Sequence, residues 1–225
     1  MPLPARIGRL HPPVFCFIVS RETVKGDVEK VVAEAVAGGV TMVQLREKEM
    51  PAGELLAMAR RLKLATRGKA LLVVNDRVDV AIAAETDGVH LPEEGLPTLI
   101  ARGLLGKYAV LGRSVHGVEA AVQAGREGAE YVIAGAIYKS PSKPDAKPAG
   151  TGLISDITKA VGLPVLAVGG IAPENVAEVV KAGAAGVAVI SAIASAKDTR
   201  AAAEALSKAL TEAWAARGEA LSASA

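Results

Sequence analysis

Ala182-Gly183-Ala184-Ala185-Gly186-Val187-Ala188-Val189 runs a helix end, a glycine turn and a short apolar strand together within one short phrase. A glycine just past a helix supplies the left-handed cap, and a brief β-branched run bounded by glycine is the pattern of a strand buried in a parallel sheet. The phrase recurs as Ala37-Gly38-Gly39-Val40-Thr41-Met42-Val43-Gln44, as Glu85-Thr86-Asp87-Gly88-Val89-His90-Leu91 and as Glu127-Gly128-Ala129-Glu130-Tyr131-Val132-Ile133. Repetition of helix, glycine and strand marks βα units. Working outward gives eight candidate strands, at 14–20, 41–47, 70–76, 88–92, 110–116, 131–138, 165–171 and 186–191. Helical patterns fill the gaps: Leu55, Leu56, Ala59, Leu62 and Leu64 form one apolar face, Val118, Ala121, Val122 and Gly125 another, and Val176, Val179 and Val180 a third. A closing helix over about 198–216 is amphipathic through Ala202, Leu206, Leu210 and Trp214. Eight such units predict a single (β/α)8 TIM-barrel domain over 1–225, with its core at about 14–216 and a loose tail at about 217–225. A doubly wound open sheet is the alternative that the same elements allow.

Composition agrees. The chain has 225 residues, 51% hydrophobic and only 3% aromatic, so its core is built from Ala, Val, Leu and Ile, which suits helices laid on parallel strands. A net charge of +2 gives no argument for a nucleic-acid or membrane-surface partner, so any anion site must come from placed residues. The one cysteine, Cys16, sits in the apolar run Val14-Phe15-Cys16-Phe17-Ile18-Val19 and reads as an inert core thiol in a reducing compartment. No apolar run is long enough for a membrane span, and Met1-Pro2-Leu3-Pro4 lacks a signal-peptide pattern, so the expected location is cytoplasmic. Oligomeric state is open, and a homo-oligomer is compatible with everything in the chain.

In a barrel of this kind chemistry sits at the C-terminal ends of the strands. Strand two ends Gln44-Leu45-Arg46-Glu47-Lys48, and period-two alternation aims Gln44, Arg46 and Lys48 into one space, as an anion such as a diphosphate would require; a solvated charge run is the plainer reading. Strand three ends Asn75-Asp76, either a Mg²⁺ ligand or the N-cap of the helix starting at Val78. Strand five ends Gly112-Arg113-Ser114-Val115-His116, with Ser114 and His116 on one side; His116 is an acid/base candidate or a structural residue, while His90 reads as structural. The loop Tyr138 to Pro148 carries Ser140, Ser142 and Lys143 among stiffening prolines, donors suited to phosphate or to a merely solvated basic loop. Gly169-Gly170 and Ile190-Ser191 end strands seven and eight, where backbone N–H groups of barrels often hold phosphate.

Together these residues resemble the thiamin phosphate synthase/TenI superfamily, from about Phe15 to Ala196. The family pattern Q-x-R-x-K is matched by Gln44, Arg46 and Lys48, the N-D pair by Asn75-Asp76, and G-x-S-x-H by Gly112 to His116. The T-x-T-K loop is matched in softened form by Ser140, Ser142 and Lys143, and the closing segments by Gly169-Gly170-Ile171 and Val189 to Ile193. The resemblance implies that Gln44, Arg46, Lys48, Asn75 and Ser114 hold an aminopyrimidine diphosphate and Lys143 its leaving diphosphate, with Mg²⁺ on Asp76. It implies that Ser140, Ser142, Gly170, Ile190 and Ser191 hold a thiazole phosphate. The family reaction expels diphosphate from the pyrimidine methylene, and the thiazole nitrogen captures the cation. That chemistry asks for charge neutralisation by Mg²⁺, Lys143 and Arg46 and for little proton transfer.

One departure is clear. Gly95 in Leu91-Pro92-Glu93-Glu94-Gly95 stands where synthases carry a second metal-binding aspartate, leaving Asp76 alone unless Glu93 or Glu94 substitutes. In addition, Gly-Arg-Ser-Val-His with the Glu119 to Ala124 segment resembles the TenI branch, which includes thiazole phosphate tautomerases with a proton-shuttling histidine at the His116 position. Synthase is the expected activity, because a tautomerase has no evident use for the pyrimidine and diphosphate set. Tautomerase and non-catalytic thiazole-phosphate binder are the alternatives.

Overall fold

A computed structural model of the protein describes residues 10–140 and 147–223. Eight parallel strands close into a barrel in sequence order: β1 Val14–Val19, β2 Met42–Leu45, β3 Leu71–Asn75, β4 Gly88–Leu91, β5 Val110–Val115, β6 Tyr131–Gly135, β7 Val165–Val168 and β8 Gly186–Val189. The (β/α)8 expectation is met and the open sheet is excluded, because β8 pairs with β1 through Val14↔Gly186 and Cys16↔Ala188. Helices follow the strands: α1 Val28–Ala37, α2 Ala52–Thr66, α3 Val78–Ala84, α4 Thr98–Leu105, α5 Val118–Arg126, α6 Gly152–Ala160, α7 Val176–Lys181, α8 Ser191–Ala194 and α9 Thr199–Ala223.

The repeated glycine phrase works as its chemistry requires. Gly183 takes the left-handed conformation (φ 114°) between α7 and β8, and a Cβ on Gly186 would lie 2.1 Å from the Val14 carbonyl oxygen. In the copy before β4 the left-handed residue is Glu85 (φ 52°), not a glycine. The strands carry two cores. Alternate residues face outward to the helices, as Phe15, Val43, Leu72, Val132 and Val187 do. The others fill the barrel: Val14, Cys16, Ile18, Met42, Val73, Val110, Tyr131, Ile133, Leu166 and Ala188. Cys16 is fully buried, and burial pushes its thiol up to about 12, so it is the inert core residue expected.

Two expectations about the helices need correction. Leu64 is exposed on α2, and Met58 takes its place on the buried face beside Leu55, Ala59 and Leu62. The stretch expected as a loose tail from 217 is helical to Ala223, because alanine-rich sequence continues the helix and Arg217 anchors it. The Arg217 guanidinium donates to the Ala184 carbonyl (3.1 Å) and lies 5.2 Å from the Trp214 ring centre. α9 closes the molecule from outside. It presses on the α1–β2 turn so tightly that a Cβ on Gly38 would meet Ala203 Cβ at 2.6 Å.

Candidate active site

Strands end sooner than the sequence suggests. β2 stops at Leu45, so Arg46 and Lys48 lie in the loop above it, and β7 stops at Val168, which frees Gly169 and Gly170 for a turn. Gln44 faces the barrel interior and is only 2% exposed. Its Nε2 donates to Asn75 Oδ1 (3.0 Å), while its Oε1 is buried and meets no donor among the described residues. Glu47 turns away, accepting from the Arg21 backbone N–H (2.5 Å), as alternation requires. Among the described residues neither Arg46 nor Lys48 has a carboxylate partner. Two unpaired cations above a buried, unsatisfied acceptor form a half-site that calls for an anion carrying an N–H donor.

Asp76 holds a left-handed backbone (φ 64°), a conformation that costs a non-glycine residue about 1–2 kcal/mol. The N-cap reading of Asp76 does not survive: Arg77 is the capping residue of α3, and no side chain caps that end. The carboxylate is therefore left exposed at the barrel mouth. Gly95 reaches its neighbourhood from the β4–α4 loop, where a Cβ would lie 2.8 Å from Asp76 Oδ1 and from Pro92 Cδ. Glu93 does not replace the missing carboxylate. Its side chain is hydrogen-bonded to His116, through both the imidazole Nδ1 and the backbone N–H. Glu94 is exposed, and among the described residues no group of three His, Cys, Asp or Glu side chains is arranged to hold a metal.

Arg113, on the outward side of β5, fixes the same loop by donating to the carbonyls of Leu96 (2.6 Å) and Glu93 (2.5 Å). His116 lies just past β5, more than half exposed, and with Arg113 it ties the loop that brings Gly95 to Asp76. Ser114 faces inward instead. Its Oγ is 2.9 Å from His90 Nε2, and His90 Nδ1 is 3.1 Å from the Tyr131 hydroxyl. His90 was expected to be structural; it is buried, yet it is bonded to a site residue. Burial, assisted by Arg113 and Arg46, lowers its pKa to about 3. The signal was present in the sequence, since alternation sets His90 opposite Val89 and Leu91 and therefore inside the barrel. No such signal pointed to Tyr131, whose ring lies over Gly112.

Across the mouth, Ser140, Gly170, Ile190 and Ser191 line one small cavity of about 30 Å³ with Gly169 and Ile171. Both glycines are left-handed, and a Cβ on Gly170 would lie 2.4 Å from the Lys139 carbonyl oxygen. Asn175, which the sequence did not single out, braces the turn by donating to the Gly170 carbonyl (2.8 Å) and accepting from the Ala172 N–H (3.0 Å). Above it the short helix α8 begins at Ser191, and its first bond back to Ile190 comes from Ile193. Ser142 and Lys143 lie outside the described residues.

The chain and its fold have counterparts among known proteins. The sequence model described as thiamine monophosphate synthase matches residues 15–193. A thiamine-phosphate synthase of Roseiflexus castenholzii is 47% identical over 178 residues, 78% of each chain. One of Moorella thermoacetica is 45% identical over 186 residues, 82% of this chain and 89% of its own. A solved structure, the thiamine phosphate pyrophosphorylase from Pyrococcus furiosus, superposes with a TM-score of 0.81 at 37% identity, covering 89% of this chain and 96% of that one. With the match spanning nearly the whole barrel, the chain belongs to the thiamine monophosphate synthase family.

Proposed function

We propose that this enzyme is a thiamin-phosphate synthase, joining an aminopyrimidine diphosphate to a thiazole phosphate with release of diphosphate. The observation that carries the reading is Gln44 Oε1, a buried acceptor with no donor among the described residues, on the strand that leads to Arg46 and Lys48, which have no carboxylate partner among those residues. A ligand with an amino group on one end and a diphosphate on the other satisfies all three at once. Gln44 and Asn75 hold the pyrimidine from below with Ser114 beside them, and Arg46, Lys48 and Lys143 neutralise the charge that grows on the departing diphosphate. Ser140, Ser142, Gly170, Ile190 and Ser191 take the phosphate of the thiazole, so its ring nitrogen can face the pyrimidine methylene. A site closed to water at its base favours capture of the cation by that nitrogen over hydrolysis.

The carboxylate set fits Mg²⁺ only as an ion that arrives with diphosphate, since Asp76 offers one ligand and phosphate oxygens complete the shell. Bound there, Mg²⁺ supplies further neutralisation of the leaving group. The test is direct: the protein with both substrates and Mg²⁺ should form thiamin phosphate, and no product at saturating Mg²⁺ overturns the reading. Gly95→Asp should lower the Mg²⁺ concentration required, provided Asp76 and the Pro92 ring yield to the new Cβ.

A second activity is favoured by the Glu93–His116 pair, a carboxylate-oriented imidazole at the mouth. It would isomerise a thiazole carboxylate phosphate without the pyrimidine. Turnover of that substrate alone, lost in His116→Ala, supports it; full activity in that variant removes His116 from the chemistry.

A further inference from the structure

Inside the barrel, Asn75, His90, Gly112 and Tyr131 share one register row across β3 to β6. Gly112 is there because any side chain would collide with the next residue of that row: a Cβ would lie 2.1 Å from Tyr131 Cζ. The bare backbone lets the phenol ring cross to His90, giving ring centres 5.5 Å apart. Tyr131 Oη, His90 and Ser114 Oγ then form a continuous polar chain from the barrel centre to its mouth.

The direction of that chain follows from counting hydrogens. Both rings are buried and neither is hydrogen-bonded to a carboxylate among the described residues, so the phenol keeps its hydrogen and the imidazole is neutral with a single N–H. Were that hydrogen on Nδ1, it would point at the Tyr131 oxygen, and the phenol hydrogen, with no other partner among the described residues, would be buried without an acceptor. With the hydrogen on Nε2, Tyr131 donates to Nδ1 and Nε2 donates to Ser114 Oγ. Every hydrogen is then used, and the Ser114 hydroxyl hydrogen is left to point out of the barrel.

We propose that Tyr131 and His90 are positioning residues that turn the Ser114 hydroxyl hydrogen toward the site, so that Ser114 donates to an acceptor atom of the ligand. This rests on the reading of Ser114 as a substrate contact. It divides the labour with Gln44, whose free oxygen accepts: one side of the site takes ligand donors, the other ligand acceptors. The acceptor is a ring nitrogen of the pyrimidine or an oxygen of the diphosphate.

Long-range ¹⁵N–¹H spectra of the ligand-free protein read the tautomer without reference to activity. His90 is expected with Nδ1 bare and Nε2 protonated; a proton on Nδ1 overturns the proposal. A double-mutant cycle then reads its use. Tyr131→Phe, which keeps the ring, should lower kcat/KM for the pyrimidine diphosphate about tenfold. In a Ser114→Ala background the same change should alter it by less than about twofold, and losses that multiply in the double variant overturn the coupling. Binding of inorganic diphosphate and of the unphosphorylated pyrimidine alcohol separates the two acceptors, since Ser114→Ala weakens only the one whose acceptor it meets; if it weakens neither, the donor role is refuted. Absence of synthase turnover would fail the functional reading while leaving the tautomer result intact.

Discussion

Replacing Gln44 by leucine should move stability and activity in opposite directions. In the free protein Gln44 makes one hydrogen bond, to Asn75 Oδ1 at 3.0 Å, and leaves Oε1 buried and unmatched. Removing an unsatisfied buried acceptor returns about 1–3 kcal/mol, while losing the bond to Asn75 costs about 1 kcal/mol. Asn75 is half-buried at the mouth and can turn to water, and leucine of similar length joins the apolar interior beside Met42 and Val73. The net change is therefore between zero and about 2 kcal/mol of added stability, which in a chain of this size leaves Tm unchanged or raises it by up to about 8 °C. The ligand, by contrast, loses its acceptor and must bury an unpaired N–H, so kcat/KM should fall by about 10²–10⁴. A ligand-free thermal melt and a thiamin phosphate assay on one preparation measure both. A Tm lowered by more than about 4 °C would mean that Oε1 is matched in the free protein, and activity kept within about threefold would mean that the ligand does not use it; either result would refute the reasoning.

Other consequences are equally measurable. Gly170→Ala puts a Cβ 2.4 Å from the Lys139 carbonyl on a left-handed backbone (φ 65°), so it should cost about 1–3 kcal/mol of stability and raise KM for the thiazole phosphate more than the pyrimidine KM. Equal effects on both KM values would remove the cradle from the thiazole side. Stability should also depend on His90: its folded pKa of about 3 lies below the ordinary 6.5, so the unfolded chain binds the extra proton between those values. Stability from this group is complete above about pH 6.5 and falls as pH drops toward 3, by about 2 kcal/mol at pH 5. Denaturant titrations at pH 7.5 and 5 should show that loss in the parent and a smaller one in His90→Gln; identical pH dependence would mean that His90 is not held neutral.

The fold was readable because it is written in repeats: one helix–glycine–strand phrase, four times over, carried the architecture before any single residue was interpreted. Site residues at strand ends were readable for a related reason, since alternation alone turned Gln44 inward and Glu47 outward. What stayed hidden depends on distance along the chain. Nothing near Glu93 in sequence reveals that its carboxylate is taken by His116, so its availability to a metal could not be judged. The same is true of Tyr131, which is unremarkable in β6 until Gly112, on the neighbouring strand, opens the space its ring occupies. Asp76 shows the remaining gap: its residue type fits both cap and ligand, and only the structure shows that Arg77, one residue on, is the N-cap of α3.

The grip of α9, through Ala203, on Gly38 sets a timetable for assembly. β1 is synthesised first, yet its second neighbour, β8, and the helix that covers their seam come only after every other strand. Until then β1 offers a bare edge, a template for wrong pairing, and the entropy of closing so long a loop is still unpaid. A nascent barrel of this kind can grow strand by strand but cannot close by degrees. Its final, sealing contact is a helix wedged, through Ala203 and Ser207, against Gly38 and Gly39, which have no side chains to obstruct it.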